Sequence, residues 1–193
     1  MGFNKRQHLR ANIDALRIAF ILEKEQRLAT DAERQRTMQY CGFGGLKFVL
    51  NPINNDGDIG HWSSSEKEFF PLTKELHELL RENAIDERQY HSFVDSLRGS
   101  VLTAFYTPPL VIDVLVDTLQ NQGVHIQRLL EPSAGVGAYI TSFSANQDVH
   151  ATAYEKDQLT GKILKQLYPE SSARISGFEE IPDHENSGYD WGT

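Results

Sequence analysis

The sequence predicts an α/β chain in two parts: a helical amino-terminal region over residues 1–100, then the first part of a parallel sheet over residues 101–193. Two observations carry this. Apolar residues recur at helical spacing through the first part, whereas short apolar runs alternate with helix-like segments in the second. The stretch Leu129-Leu130-Glu131-Pro132-Ser133-Ala134-Gly135-Val136-Gly137 then places a carboxylate and a glycine-bearing turn directly after an apolar run. A parallel α/β sheet builds a site for a nucleotide-like ligand in this way, at the carboxyl end of its first strand. Glycine suits the turn because the backbone must bend sharply and lie close to a ligand.

Residues 6–28 form the first expected helix, with Leu9, Ile13, Leu16, Phe20 and Ile21 on its apolar face. Thr30-Asp31-Ala32-Glu33 has the pattern of a capping box and opens a second helix, which runs to Tyr40 and is stopped by Gly42-Phe43-Gly44-Gly45. The turn formers Asn54-Asn55-Asp56-Gly57-Asp58 mark residues 51–64 as a polar loop. Leu72, Leu76, Leu79 and Leu80 define a third helix, whose His77 is expected on the solvent side, and Ile85-Asp86 opens a fourth reaching Leu97. Thr107-Pro108-Pro109 reads as an N-cap with prolines in the first turn, followed by the face Val111, Ile112, Leu115, Val116 and Leu119. After it come a strand at 127–131, a helix at 137–144, a strand at 149–155 and a helix from Asp157 to Leu167. Arg174-Ile175-Ser176 makes a third strand, and Tyr189-Asp190 begins a fourth. Strands alternating with helices imply parallel pairing through crossovers.

Composition bounds the function. With 193 residues, 39% hydrophobic and 24% charged, the chain reads as a soluble globular protein. It has no apolar run of membrane-spanning length and no signal-type block after its first residues, so a cytoplasmic protein without membrane partners is expected. The single cysteine, Cys41, excludes an internal disulfide and a cysteine-rich zinc site, and the seven histidines show no metal-ligand spacing; no metal is expected. The net charge of −8 is uneven: residues 1–45 carry eight basic and five acidic side chains, the rest eleven and twenty-two. The basic segment could meet phosphates or form a solvated helix face, while the acidic remainder argues against a tight grip on DNA by this chain alone.

The turn is not the dinucleotide fingerprint, whose third glycine position is Ile140 here. Its neighbours are more specific. Glu131, at the end of the first strand, can receive the ammonium of an amino-acid-bearing cofactor. Glu155 ends the next strand, twenty positions beyond Gly135, where a carboxylate can accept both hydroxyls of a ribose. Phe178 and Glu179 follow the third strand, where a ring and an acceptor can hold an adenine. The turn has no phosphate-binding lysine. An adenosyl group without phosphates and with an amino-acid tail fits, and S-adenosylmethionine is such a molecule.

Ala104-Phe105-Tyr106-Thr107-Pro108-Pro109-Leu110-Val111-Ile112, followed by Leu130-Glu131-Pro132-Ser133-Ala134-Gly135-Val136-Gly137, resembles the amino-terminal half of class I DNA adenine-N6 methyltransferases. The resemblance implies a partial Rossmann-like methyltransferase sheet. It also implies that Tyr106, Thr107 and Pro108 lie against the methionine part of S-adenosylmethionine, with Glu131, Ser133, Gly135 and Gly137 shaping the pocket. Glu155 would hold the ribose, and Phe178 with Glu179 border the adenine. Ala29 to Glu33 and Tyr40-Cys41-Gly42-Phe43-Gly44-Gly45-Leu46 are similar to the region preceding the methylase core in very large mobile-element proteins, where a helicase region follows; Phe43 stands where that family usually has tryptophan.

Such methylases carry an Asn/Asp-Pro-Pro-aromatic motif after the fourth strand, or in helicase-linked relatives Asn-x-Pro-Phe, which binds the target amino group of a flipped-out base. Neither occurs before Thr193, so no catalytic residue is assigned and a fragment carrying a cofactor half-site is expected, with DNA as partner of the full-length protein. The alternatives are a non-catalytic module for DNA or cofactor binding and a methyltransferase acting on RNA or protein. His61-Trp62 and Tyr90-His91 are expected to be partly buried surface groups, and Cys41 a small core residue.

Overall fold

The computed structural model describes residues 4–104, 106–145, 148–181 and 188–192; Phe105 of the Thr-Pro motif lies outside them. The chain divides into two compact units, Met1–Ala104 and Phe105–Thr193.

The first unit is helical. Helix α1 (Lys5–Glu25) is capped by Asn4, whose side chain accepts from the Gln7 N–H. Helix α2 (Asp31–Thr37) begins with the expected capping box: Thr30 and Glu33 each bond the other's backbone N–H. Helices α3 (Phe70–Glu82) and α4 (Glu87–Thr103) follow, and Asp86 caps the second of these through the Gln89 N–H. Leu9, Ile13, Leu16, Leu76, Leu80, Phe93 and Leu97 are fully or almost fully buried and form the core. Ile21 belongs to the exposed side of α1, one position off the buried stripe. The polar loop holds a short 3-10 turn, Asp56–His61, after which Trp62 is buried edge-on against Phe70.

The glycine segment after α2 is the knot of this unit. Asn12, fully buried on α1, donates from Nδ2 to the Gly42 carbonyl at 2.6 Å and accepts the Cys41 N–H at 2.9 Å. Ser100 on α4 accepts the Phe43 N–H at 3.0 Å, and Phe43 is wholly enclosed. Gly42 and Gly45 have positive φ. A Cβ on Gly44 would lie 2.8 Å from the Ala104 carbonyl oxygen, so side chains are excluded there. Cys41 is half-buried, and burial raises its thiol pKa, which opposes a role as nucleophile.

His77 corrects the expectation of a solvent-side histidine: it is 6% exposed. Its Nε2 lies 2.8 Å from the Val49 carbonyl and its Nδ1 2.8 Å from the Tyr90 hydroxyl. A carbonyl only accepts, so Nε2 carries the proton and Nδ1 takes the Tyr90 hydrogen. The ring's polar edges are satisfied by groups far along the chain, which lets an imidazole replace a leucine in the core. Tyr90 is buried with it.

The second unit is α/β. Helix α5 (Pro109–Asn121) has Pro109 at its first position and Pro108 at its cap; Thr107 is not the cap expected of it, and no side chain caps this helix. Ile112 and Val116 are buried, while Leu110, Val111 and Val114 are exposed, so the apolar face is narrower than the periodicity suggests. Strand β1 (Arg128–Glu131), helix α6 (Ala138–Ser144), strand β2 (His150–Tyr154), helix α7 (Gln158–Leu167), strand β3 (Ser172–Arg174) and strand β4 (Trp191–Gly192) follow. Among the described residues the strand pairings are parallel, and the order is β3-β2-β1-β4.

The third strand sits earlier than expected. Ile175 lies past its end and packs against Gly161 of α7, where an added Cβ would approach to 2.8 Å. The fourth begins at Trp191 because Asp190 is taken up in a clamp. Its carboxylate accepts the Gln127 and Arg128 N–H groups, both at 2.9 Å, and its own N–H donates to the Arg128 carbonyl. Leu129, Ala151, Ala153, Ile140, Phe143 and Leu164 fill the core of this unit. Among the described residues no helix is long and apolar enough to cross a membrane.

Candidate ligand site at the strand ends

Glu131 is the last residue of β1 and pairs in register with Ala153 of β2; Glu155 lies two residues beyond that partner. Strand spacing and rise put the two Cα atoms about 8 Å apart at neighbouring strand tips. Glu131 is 3% exposed, an unusual burial for a carboxylate.

The turn between them is fastened to β2. The Ala134 N–H donates to the Tyr154 carbonyl at 2.9 Å, and the Gly137 N–H to the Ala134 carbonyl at 2.8 Å. Gly135 has φ +54°, in the left-handed region open to glycine at little cost. Its N–H donates to Glu155 Oε2 at 2.7 Å, and the Asp157 N–H donates to Oε1 at 2.7 Å. The Glu155 backbone is held as well, its N–H donating to the Arg174 carbonyl at 3.0 Å. Burial raises the Glu155 pKa, and the Asp157 and Gly135 N–H groups act against that shift.

Tyr106 lies over this turn. A Cβ on Gly135 would meet its ring at 2.9 and 3.0 Å. Tyr106, next to Thr107-Pro108 in the chain, and the glycine turn therefore meet in space. Thr107 and Pro108, which follow Tyr106 in the chain, and Ser133, two residues past β1, are exposed. Gly137, with φ +81°, stands apart from them: the Tyr168 ring at the end of α7 occupies the place of a Cβ there, and the Tyr168 hydroxyl bonds Thr141. Its bareness serves the packing of Tyr168.

Phe178 and Glu179 occupy a 3-10 turn (Phe178–Glu180) after β3. The Phe178 ring is 67% exposed. Glu179 accepts from Lys156 Nζ at 2.7 Å, next to Glu155 in sequence, and that bond lowers its pKa. The strand-end carboxylates, the Gly135 turn and Tyr106 are thus brought together, with Phe178 and the Lys156–Glu179 pair following the neighbouring strands. Lys156 and Tyr168 escaped sequence reasoning. Nothing local to either residue signals its partner, 23 and 31 positions away in the chain.

Over 83 residues, 43% of this chain, the sequence is 30% identical to the defense against restriction protein B of Escherichia phage P1. The match takes in 4% of that protein, so the chain spans a small part of its relative's length. No protein-family model matches the chain, and no solved structure matches it.

Proposed function

We propose that residues 105–193 form the S-adenosylmethionine-binding part of a DNA adenine-N6 methyltransferase with a partial Rossmann-like sheet, within a larger mobile-element protein. The observation that carries this is the pairing of Glu131 and Glu155 at adjacent strand tips around a left-handed Gly135 turn that Tyr106 covers. Further support comes from the strand order, which repeats the start of the doubly wound 3-2-1-4 arrangement, whose ligands bind at the carboxyl ends of the strands. The relative's name speaks of defence against restriction, and methylation of DNA bases is one chemistry that blocks DNA cleavage.

The residues present fit the cofactor. When bound, it supplies an electrophilic methyl group on a sulfonium. Glu155 uses one acceptor position on Oε2 for the turn and one on Oε1 for the Asp157 N–H, and keeps others for the ribose hydroxyls. Glu131 places a buried carboxyl group where the amino-acid ammonium would sit, and the Tyr106 ring shields Gly135 from water. Thr107, Pro108 and Ser133 border the mouth. Phe178 offers an exposed ring to the adenine, and Lys156 holds Glu179 beside it. Gly137, whose missing Cβ makes room for the Tyr168 ring, completes the turn that shapes the pocket.

A non-catalytic module is the second reading, favoured by the occupation of both Glu155 oxygens and of Glu179 by partners within the chain. Calorimetric titration with S-adenosylmethionine tests the cofactor claim. Binding to the wild-type chain, its loss in Glu155→Ala and its weakening in Phe178→Ala are expected. No heat and no thermal shift with folded wild-type protein would remove the proposal.

A further inference from the structure

The amino-terminal unit contains an open groove of about 640 Å³, lined by Arg6, Gln7, Arg10 and Asp14 of α1, Arg36 of α2, and Gln39 beyond it. Its floor is apolar, with Ala11 and Leu72. The charges around it separate into two sets. Glu75 accepts both Arg10 Nη atoms, at 2.7 and 2.8 Å, and Arg17 Nη2 at 2.8 Å. Asp14 stands 3.8 Å from Arg10 and 3.6 Å from Arg17. Two acids and two arginines make a locally neutral quartet.

Arg6 and Arg36 are outside it. Elsewhere in this unit Arg27 holds Glu25 and Glu33 and Arg98 holds Asp95, while Arg34 and Arg88 have no carboxylate partner among the described residues and do not line the groove. Arg6 and Arg36 have no carboxylate partner among the described residues, although the chain as a whole carries a net charge of −8. Two uncompensated guanidiniums thus face one concave surface, with the amides of Gln7 and Gln39 beside them. Guanidinium forks match the geometry of phosphate oxygens, and amide N–H groups add uncharged donors.

We propose that this groove binds the phosphodiester backbone of a polynucleotide, with Arg6 and Arg36 on its phosphates and Arg10 fixed by Glu75 as the groove wall. The site reads no sequence: it positions the chain on the backbone. It is independent of the cofactor site and stands or falls without it.

The test is fluorescence anisotropy of a labelled 20-base-pair DNA duplex with the full chain, measured across a salt series, with inorganic phosphate and a single strand as competitors. Each lost phosphate contact reduces the salt slope by about one, so Arg6→Gln/Arg36→Gln should lower it by about two. The same double variant is expected to bind roughly tenfold more weakly at low salt, and Asp14→Asn severalfold more tightly because a repelling charge is gone. Both arginines are exposed, so the double variant should melt with the wild type. Arg88→Gln/Arg98→Gln, on α4, should bind within about twofold of wild type, since a site outside the groove contributes no phosphate contact. Absence of duplex binding by the wild-type chain would overturn the proposal. So would an equal loss in the α4 variant, or competition by millimolar phosphate as effective as that by DNA.

Discussion

Replacing Gly135 by alanine probes the turn on which the strand-end site depends. Two costs arise. Gly135 has φ +54°, and an L-residue in the left-handed region pays about 1–2 kcal/mol. The new Cβ would also stand 2.9 Å from Tyr106 Cε1 and 3.0 Å from Cδ1, so the ring must move by several tenths of an ångström. Crowding of this kind costs about 1–3 kcal/mol in a packed site. Together the loss is about 2–5 kcal/mol, which at 1.4 kcal/mol per tenfold lowers protection at least about 30-fold. Amide hydrogen exchange read by mass spectrometry resolves peptides spanning 128–155 from those spanning 5–103. Protection is expected to fall in the first set and to stay unchanged in the second. In a Tyr106→Ala background the same substitution should cost only the backbone part, about 1–2 kcal/mol, because the ring is gone. Unchanged protection in Gly135→Ala, or an identical loss with and without Tyr106, would refute the described geometry.

Asn12→Ala leaves the Cys41 N–H and the Gly42 carbonyl buried and unbonded, and a loss of about 2–4 kcal/mol in the first unit is expected by denaturant titration. Thr30→Ala removes an exposed capping box and should cost about 1 kcal/mol, visible as a small downward shift of the same midpoint. Burial lowers the pKa of His77 from its ordinary 6.5, so the unfolded chain binds a proton before the folded one does. Stability is therefore full above pH 6.5 and declines as pH falls below it, and His77→Gln should flatten that slope on the acid side of 6.5. Burial raises the Glu155 carboxyl, the opposite case for an acid: the folded state holds its proton longer, so this group's contribution weakens as pH rises above 4.5. Glu155→Gln should remove that dependence, read as the pH profile of exchange over 128–155.

The parts of the fold that could be read from the sequence are those set by local chemistry. The capping box at Thr30, the apolar run of β1 and the glycine turn each declare themselves within a few residues. The strand-end carboxylates followed from the twenty-residue spacing to Glu155. What escaped depends on partners distant in sequence. His77 looks amphipathic until Val49 and Tyr90 satisfy its two nitrogens. Asn12 reads as a polar interruption of α1, yet it ties down a loop 29 and 30 positions away. Ile175 drew the third strand two residues too late because its burial against Gly161 mimics a strand position. The contact between the Gly137 turn and Tyr168 likewise joins positions too distant in the chain to be read locally.

A crystal structure of the chain soaked with S-adenosylhomocysteine tests the central claim most directly. The ribose hydroxyls are predicted within hydrogen-bonding distance of the Glu155 carboxylate, with the amino group of the ligand turned toward Glu131. A ligand bound with its ribose away from Glu155, or at another surface of the second unit, would contradict it.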